Sequence, residues 1–215
     1  MQPREGEEFF RLILEGPRIN TQVELSHHVT SVILSLVRNE QQARTLVDSS
    51  TLECLTAILQ QRHSNDELVT ADALLQTHSN IISILGVLCS EPHPAIVNTQ
   101  VCQALLERLR SSSSSEADTG STNMKHSIII THEILNVLMD MYGDDDDEDC
   151  HNQVFKNEDV LGHFQRCIPG FKRSIKKVAA STHRGMGSMR EEMEVDLWNE
   201  TALNATRFVK YKKGG

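Results

Sequence analysis

Apolar residues in this chain recur at steps of three and four residues, the spacing of one buried face of an α-helix. Between Thr21 and Arg38 the series is Val23, Val29, Val32, Ile33, Leu36 and Val37, and comparable series follow along the chain. None of the 215 residues belongs to a sustained strand-like alternation bounded by hairpin signals. The sequence therefore predicts an all-α fold.

The predicted helices are residues 5–15, 21–38, 50–59, 65–89, 95–109, 126–142, 154–180 and 189–212. Ser49 or Ser50 is expected to cap the third helix. Helix pairs of about 40 residues have the period of armadillo and HEAT repeats. Several of the helices are apolar on more than one side, as a helix between neighbouring repeats must be. We expect a HEAT/armadillo-like solenoid of antiparallel helix pairs, with a compact helical bundle as the alternative.

The last two predicted helices carry local features of their own. Apolar spacing continues on both sides of Pro169, which predicts a kink in the helix 154–180 and not its end. In the last helix the packed side is expected around Trp198, marked by Met193, Leu197, Leu203 and Phe208.

One helical-repeat domain is expected over residues 1–215. Within it the composition predicts a flexible serine-rich loop at 111–123, an acidic loop at 143–152, a loop at 181–188 and an exposed basic tail at 210–215.

Charge is segregated along the chain. The formal net charge of -9 divides into -5 over residues 1–110, -9 over 111–149 and +5 over 150–215. The densest acidic stretch is Asp144, Asp145, Asp146, Asp147, Glu148 and Asp149. Such a run is either a solvated loop or a surface that attracts a basic partner, and the second reading makes these six residues the candidate partner-binding site. Calcium binding is disfavoured because the run lacks spaced oxygen ligands and a turn glycine.

A basic group, Lys172, Arg173, Lys176 and Lys177, follows the acid run on a predicted helix. It alternates with Phe171, Ile175 and Val178, so the exposed basic face of a packed helix is the leading interpretation. Alternatively, the group is a nucleic-acid patch or a nuclear localisation signal. Its side chains could also form ion pairs with the acid run.

No motif indicates catalysis, a metal or a cofactor. His27 and His28 are adjacent and point about 100° apart on a helix, and the five cysteines have no Cys-x-x-Cys spacing. The segment Gly185-Met186-Gly187-Ser188 lacks the strand and the lysine of a phosphate loop. We expect a non-enzymatic protein of a reducing compartment, with no signal peptide, no membrane span and no direct contact with nucleic acid.

The C-terminal part of the sequence resembles a known family. The positions concerned are Glu133 to Tyr142 ahead of the acid run, then Leu161, Phe164, Pro169, Phe171, Lys172, Ile175, Lys177, Asn204, Arg207, Phe208 and Tyr211. In this pattern residues 126–213 resemble the C-terminal HEAT repeats of the symportins. These armadillo/HEAT-repeat transport adaptors escort the two 5S rRNA-binding proteins of the large ribosomal subunit to the nucleus.

The resemblance implies a helical-repeat adaptor of cytoplasm and nucleus that shields basic ribosomal proteins for import and for assembly of the 5S particle. Any importin contact would lie in a part of the family architecture that is not present here. A helical-repeat interaction scaffold with no ribosomal role is the alternative.

Overall fold

The structure, a computed structural model, describes residues 23–45, 47–60, 68–89, 99–114, 121–143, 158–184 and 188–214. These residues form eight helices and contain no strand: α1 Val23–Asn39, α2 Gln41–Arg44, α3 Ser49–Leu59, α4 Leu68–Cys89, α5 Thr99–Ser114, α6 Ser121–Gly143, α7 Glu158–Arg184 and α8 Met189–Gly214. The predicted all-α fold is confirmed. The predicted helix 5–15 lies outside the described residues.

Contacts divide the chain into two compact units, Met1–Leu105 and Leu106–Gly215. The division falls within α5. The expectation of one helical-repeat domain over residues 1–215 stays a prediction.

Helix α4 forms the centre of the first unit, because it packs against both α1 and α3. It is buried on more than one side, with Ile81, Ile82, Ile84 and Leu85 all at 0–1% exposure. Helix α1 contributes Thr30, Ile33 and Val37 to this core, at steps of three and four residues. Helix α4 therefore lies between neighbouring helices, as apolar residues on more than one of its sides predicted.

Polar contacts also join the helices of the first unit. The side-chain amide of Asn80 donates hydrogen bonds to Ser31 Oγ at 2.9 Å and to Thr30 Oγ1 at 3.2 Å, which ties α4 to α1. Nε2 of the buried His78 lies 3.0 Å from the carbonyl oxygen of Ile58, which ties α4 to α3. Buried polar groups are thereby paired across both faces of α4.

The cap of α3 is Asp48, and the prediction of Ser49 or Ser50 was wrong by one or two positions. Oδ1 of Asp48 accepts a hydrogen bond of 2.8 Å from the backbone N–H of Thr51, the third residue of the helix. Ser50 instead donates its hydroxyl to the same carboxylate. Partial burial raises the pKa of Asp48, but the hydrogen bonds from Thr51 and Ser50 outweigh it and hold the pKa below its usual value.

The second unit contains α6, α7 and α8, each of which packs against the other two. Helix α7 continues through Pro169. Its buried face runs from Phe164 and Ile168 before the proline to Phe171 and Ile175 after it. The prediction that the helix does not end at the proline is therefore confirmed, and the kink stays a prediction.

Two predicted loops and the predicted tail are shorter than the sequence indicated. Helix α5 extends to Ser114 and α6 begins at Ser121, so the ends of the predicted loop 111–123 are helical. Helix α7 includes residues 181–184, and α8 runs to Gly214 through most of the predicted tail 210–215. Extending a nucleated helix costs little even with serine, and lysines in the last turn of a helix interact favourably with its dipole.

The packed side of α8 differs from the prediction. Trp198, Thr201, Ala202, Ala205 and Val209 are buried, whereas Met193, Leu197 and Leu203 are 66%, 50% and 47% exposed. Two elements of the prediction hold: Trp198 is buried, and the half-buried Phe208 packs its ring 5.4 Å from that of the buried Phe164 on α7. The expectation followed the largest aliphatic residues, but small alanines allow the neighbouring helices to approach closely, and they define the buried face.

Candidate functional site

The predicted partner-binding residues Asp144–Asp149 follow directly after α6, which ends at Gly143, and they lie outside the described residues. Asp140, in the last turns of α6, is described, and burial raises the pKa of its carboxyl. The acid run stays a predicted site.

The basic group predicted on a packed helix lies on α7. Arg173, Lys176 and Lys177 are exposed, while Phe171, Ile175 and Val178 on the same helix are buried. The fourth member, Lys172, is half-buried and donates a hydrogen bond of 2.9 Å from Nζ to Thr206 Oγ1 on α8. The basic group is thus the solvent-facing side of a packed helix, as its spacing predicted.

The end of α8 adds further cations beside α7. Nζ of Lys213 donates a hydrogen bond of 2.6 Å to Gln165 Oε1 on α7. Nζ of Lys212 lies 5.9 Å from the ring centroid of Phe208 and 5.8 Å from that of Tyr211, within cation–π range. Lys172 and Lys213 thus point across the line where α7 meets α8. We call this line, with its two bonded residues Lys172 and Lys213, the basic seam.

A hydrogen-bonded cap begins α8 and links it to α6. The backbone N–H of Ser188 donates to Glu191 Oε2 at 3.2 Å, and the N–H of Glu191 donates back to Ser188 Oγ at 3.4 Å. Lys125 Nζ on α6 lies 3.0 Å from Glu191 Oε1. The hydrogen bonds from Lys125 and from the Ser188 backbone lower the pKa of Glu191. Sequence reasoning missed this cap, although serine followed three residues later by glutamate is the signature of a capping box.

A second polar contact set lies between α6 and α8. Nδ1 of His132 is 2.8 Å from Thr201 Oγ1, and the hydroxyl of Thr201 donates to the carbonyl oxygen of Leu197 at 3.1 Å. The amide nitrogen of Asn136 lies 3.4 Å from His132 Nε2. These contacts suit a neutral imidazole with its proton on Nδ1. Burial lowers the pKa of His132, which favours the same neutral form.

Sequence reasoning did not single out this polar set. His132 and Asn136 are four residues apart and so share a helix face, but no spacing in the sequence connects them with Thr201. The set positions α6 against α8, and nothing in its chemistry requires a ligand.

Metal-ligating residues are dispersed in the described part of the chain, where no group of three or more His, Cys, Asp or Glu side chains could hold an ion. Cys167 is buried and Cys54 half-buried. Across the same described residues, no helix has the length and the apolar character needed to cross a membrane.

Comparison with known proteins identifies relatives of the chain. Residues 6–215 match the model of a protein family described as SYO1-like, TPR repeats. The chain is 30% identical over 132 residues to Symportin 1 of Chaetomium thermophilum, an alignment that covers 61% of this chain and 17% of the relative. The aligned part thus spans less than a fifth of that protein's length. No solved structure matches significantly.

Proposed function

Because the chain belongs to the SYO1-like family of TPR-repeat proteins, we propose that it is a non-enzymatic adaptor that binds basic ribosomal proteins of the large subunit. The family description names TPR repeats where the spacing predicted HEAT/armadillo-like repeats. Both are arrays of antiparallel helix pairs that offer extended binding surfaces. The predicted helical-repeat architecture and the predicted symportin likeness are therefore confirmed, and the identity of the cargo is the proposal.

The family match over residues 6–215 is the observation that carries this proposal. The symportin resemblance implies cargo that binds 5S rRNA, and such cargo is strongly basic. A net charge of -9, with residues 111–149 alone at -9, offers the opposite charge. Asp144–Asp149 are proposed to steer this cargo to the chain and to screen it until it joins the ribosomal particle. Transit between cytoplasm and nucleus is part of the same proposal.

A binding assay over a series of salt concentrations tests the proposal. The chain is immobilised and offered purified 5S rRNA-binding ribosomal proteins, beside a variant with all six residues of Asp144–Asp149 changed to serine. We expect the original chain to retain the cargo at low salt and to lose it as salt screens the charges. The six-serine variant should retain much less at low salt.

A control variant removes two exposed acids elsewhere, by Glu40→Ser with Glu53→Ser, and should bind almost as the original chain does. Equal cargo binding by the six-serine variant at every salt concentration would remove the acid run from the mechanism. A second experiment identifies proteins that co-purify with the chain by mass spectrometry. A set without enrichment of ribosomal proteins would favour the general interaction scaffold instead.

A further inference from the structure

The outward side of α8 is unusually apolar. Met189, Met193, Leu197, Leu203 and Tyr211 are 80%, 66%, 50%, 47% and 63% exposed. At 100° per residue, all five fall within an arc of about 120°. Trp198, Ala202 and Ala205, which pack in the unit, lie on the opposite side of the helix. We call the exposed arc the outer face of α8.

Charge is divided along the outer face. Exposed acids occupy its first half, at Glu192, Asp196 and Glu200, and exposed bases its second half, at Arg207 and Lys210. Arg190, near the start of the helix, pairs with Glu194. Glu192 and Lys210 are 18 residues apart, which is about five helical turns, so they lie on one line along the helix near opposite ends.

We propose that the outer face of α8 pairs with the same face of a second copy of this chain, in antiparallel orientation. In that arrangement the acidic half of each helix lies beside the basic half of the other, and Glu192 of each copy lies near Lys210 of its partner copy. The five apolar side chains of each copy cover those of the other. The pairing is closed and two-fold, since each copy presents the same patch.

The charge pattern selects this occupant over others. A basic cargo segment would meet the acids of the first half but would be repelled by Arg207 and Lys210 in the second. A parallel copy would place like charges side by side. Only an occupant whose charge reverses along its length fits both halves, and an antiparallel copy of α8 has that reversal.

Reciprocal charge reversal provides the test. Glu192→Lys and Lys210→Glu are each made in the full chain, and the mass in solution is measured by light scattering over a range of chain concentrations at low salt. We expect the original chain to form dimers. Each single variant should dimerise about tenfold more weakly, because both of its charge pairs become repulsive. An equimolar mixture of the two variants should recover dimers, since it restores opposite charges at both pairs.

Two further variants complete the experiment. Leu197→Glu places a charge within the apolar arc and should give monomers, while Glu53→Lys, an exposed acid of α3, should leave the dimer unchanged. Circular dichroism checks that each variant is folded. The proposal is overturned if the original chain keeps the mass of one copy at every concentration, or if the mixture of reversed variants dimerises no better than either alone. Monomers combined with cargo binding that Leu197→Glu abolishes would assign the outer face to cargo.

Discussion

Nζ of Lys172 on α7 donates a hydrogen bond of 2.9 Å to Thr206 Oγ1 on α8. A second bond, from Lys213 on α8 to Gln165 on α7, lies farther along the same line. Residue numbers rise along one helix as they fall along the other, so the two bonds fix an antiparallel register. Members of the basic seam therefore stabilise the second unit as well as face solvent.

Removing the acceptor of this bond should destabilise the chain. Thr206→Val keeps the shape of the side chain but leaves the half-buried Lys172 without its partner, and we expect a loss of about 1 kcal/mol in the free energy of unfolding. Thr206→Ser keeps the hydroxyl and should lose less. Urea denaturation measures both variants, and equal losses for valine and serine would show that the hydroxyl contributes nothing.

The cap of α3 provides a prediction for the first unit. Asp48→Ala removes the acceptor of the Thr51 N–H, and loss of such a cap costs about 1 kcal/mol. Asp48→Ser, which can still accept that hydrogen bond, should recover most of the stability. Thermal unfolding followed by circular dichroism compares the three chains, and an alanine variant as stable as the original would contradict the role of Asp48.

The pKa of His132, lowered by burial, predicts a pH dependence of stability. The unfolded chain takes up a proton at this position near pH 6.5, the ordinary value, while the folded chain takes it up only at lower pH. The stabilisation is therefore fully present above about pH 6.5 and is lost as pH falls through the lowered pKa of the folded state. Protonation would also place a charge beside Thr201 and Asn136.

The measurement is the difference between two chains, because other groups titrate in the same range. Urea denaturation at several pH values between neutral and mildly acidic is carried out on the original chain and on His132→Gln. The original should lose more stability with acidification than the variant, which has no titrating group at this position. Parallel curves for the two chains would mean that His132 is protonated equally in the folded and unfolded states.

Sequence periodicity predicted the fold well wherever apolar residues dominate one or two sides of a helix. Ile81, Ile82 and Leu85 indicated a helix between neighbours, and α4 is such a helix. Spacing across Pro169 likewise predicted the continuous buried face of α7. These predictions succeed because burial of large apolar side chains is the dominant favourable term in folding. The helical period of those side chains can be read directly from the sequence.

Contacts between distant polar residues could not be predicted in this way. His132 and Thr201 are 69 positions apart, and their hydrogen bond depends on the register of α6 against α8. The candidate site could be predicted only in part for the same reason. The sequence shows the acid run but does not show which partner the run would bind. The capping box at Ser188 and Glu191, by contrast, carried a short signal that a sequence reading could have used.

The last prediction tests which side of α8 is packed. The large aliphatic residues and the alanines lie on opposite faces of this helix, and the structure buries the alanines. Ala205 is 0% exposed, so Ala205→Leu should overpack the contact with neighbouring helices and cost about 1–3 kcal/mol in the free energy of unfolding. Leu203 is 47% exposed, so Leu203→Ala should change that free energy by no more than about 0.5 kcal/mol. Urea denaturation of the dilute chain, where pairing through the outer face of α8 makes little contribution, measures both variants. A large loss for Leu203→Ala together with a small loss for Ala205→Leu would mean that the large aliphatic residues form the packed side of α8. The outer face of α8 would then be covered within the chain and could not receive a second copy.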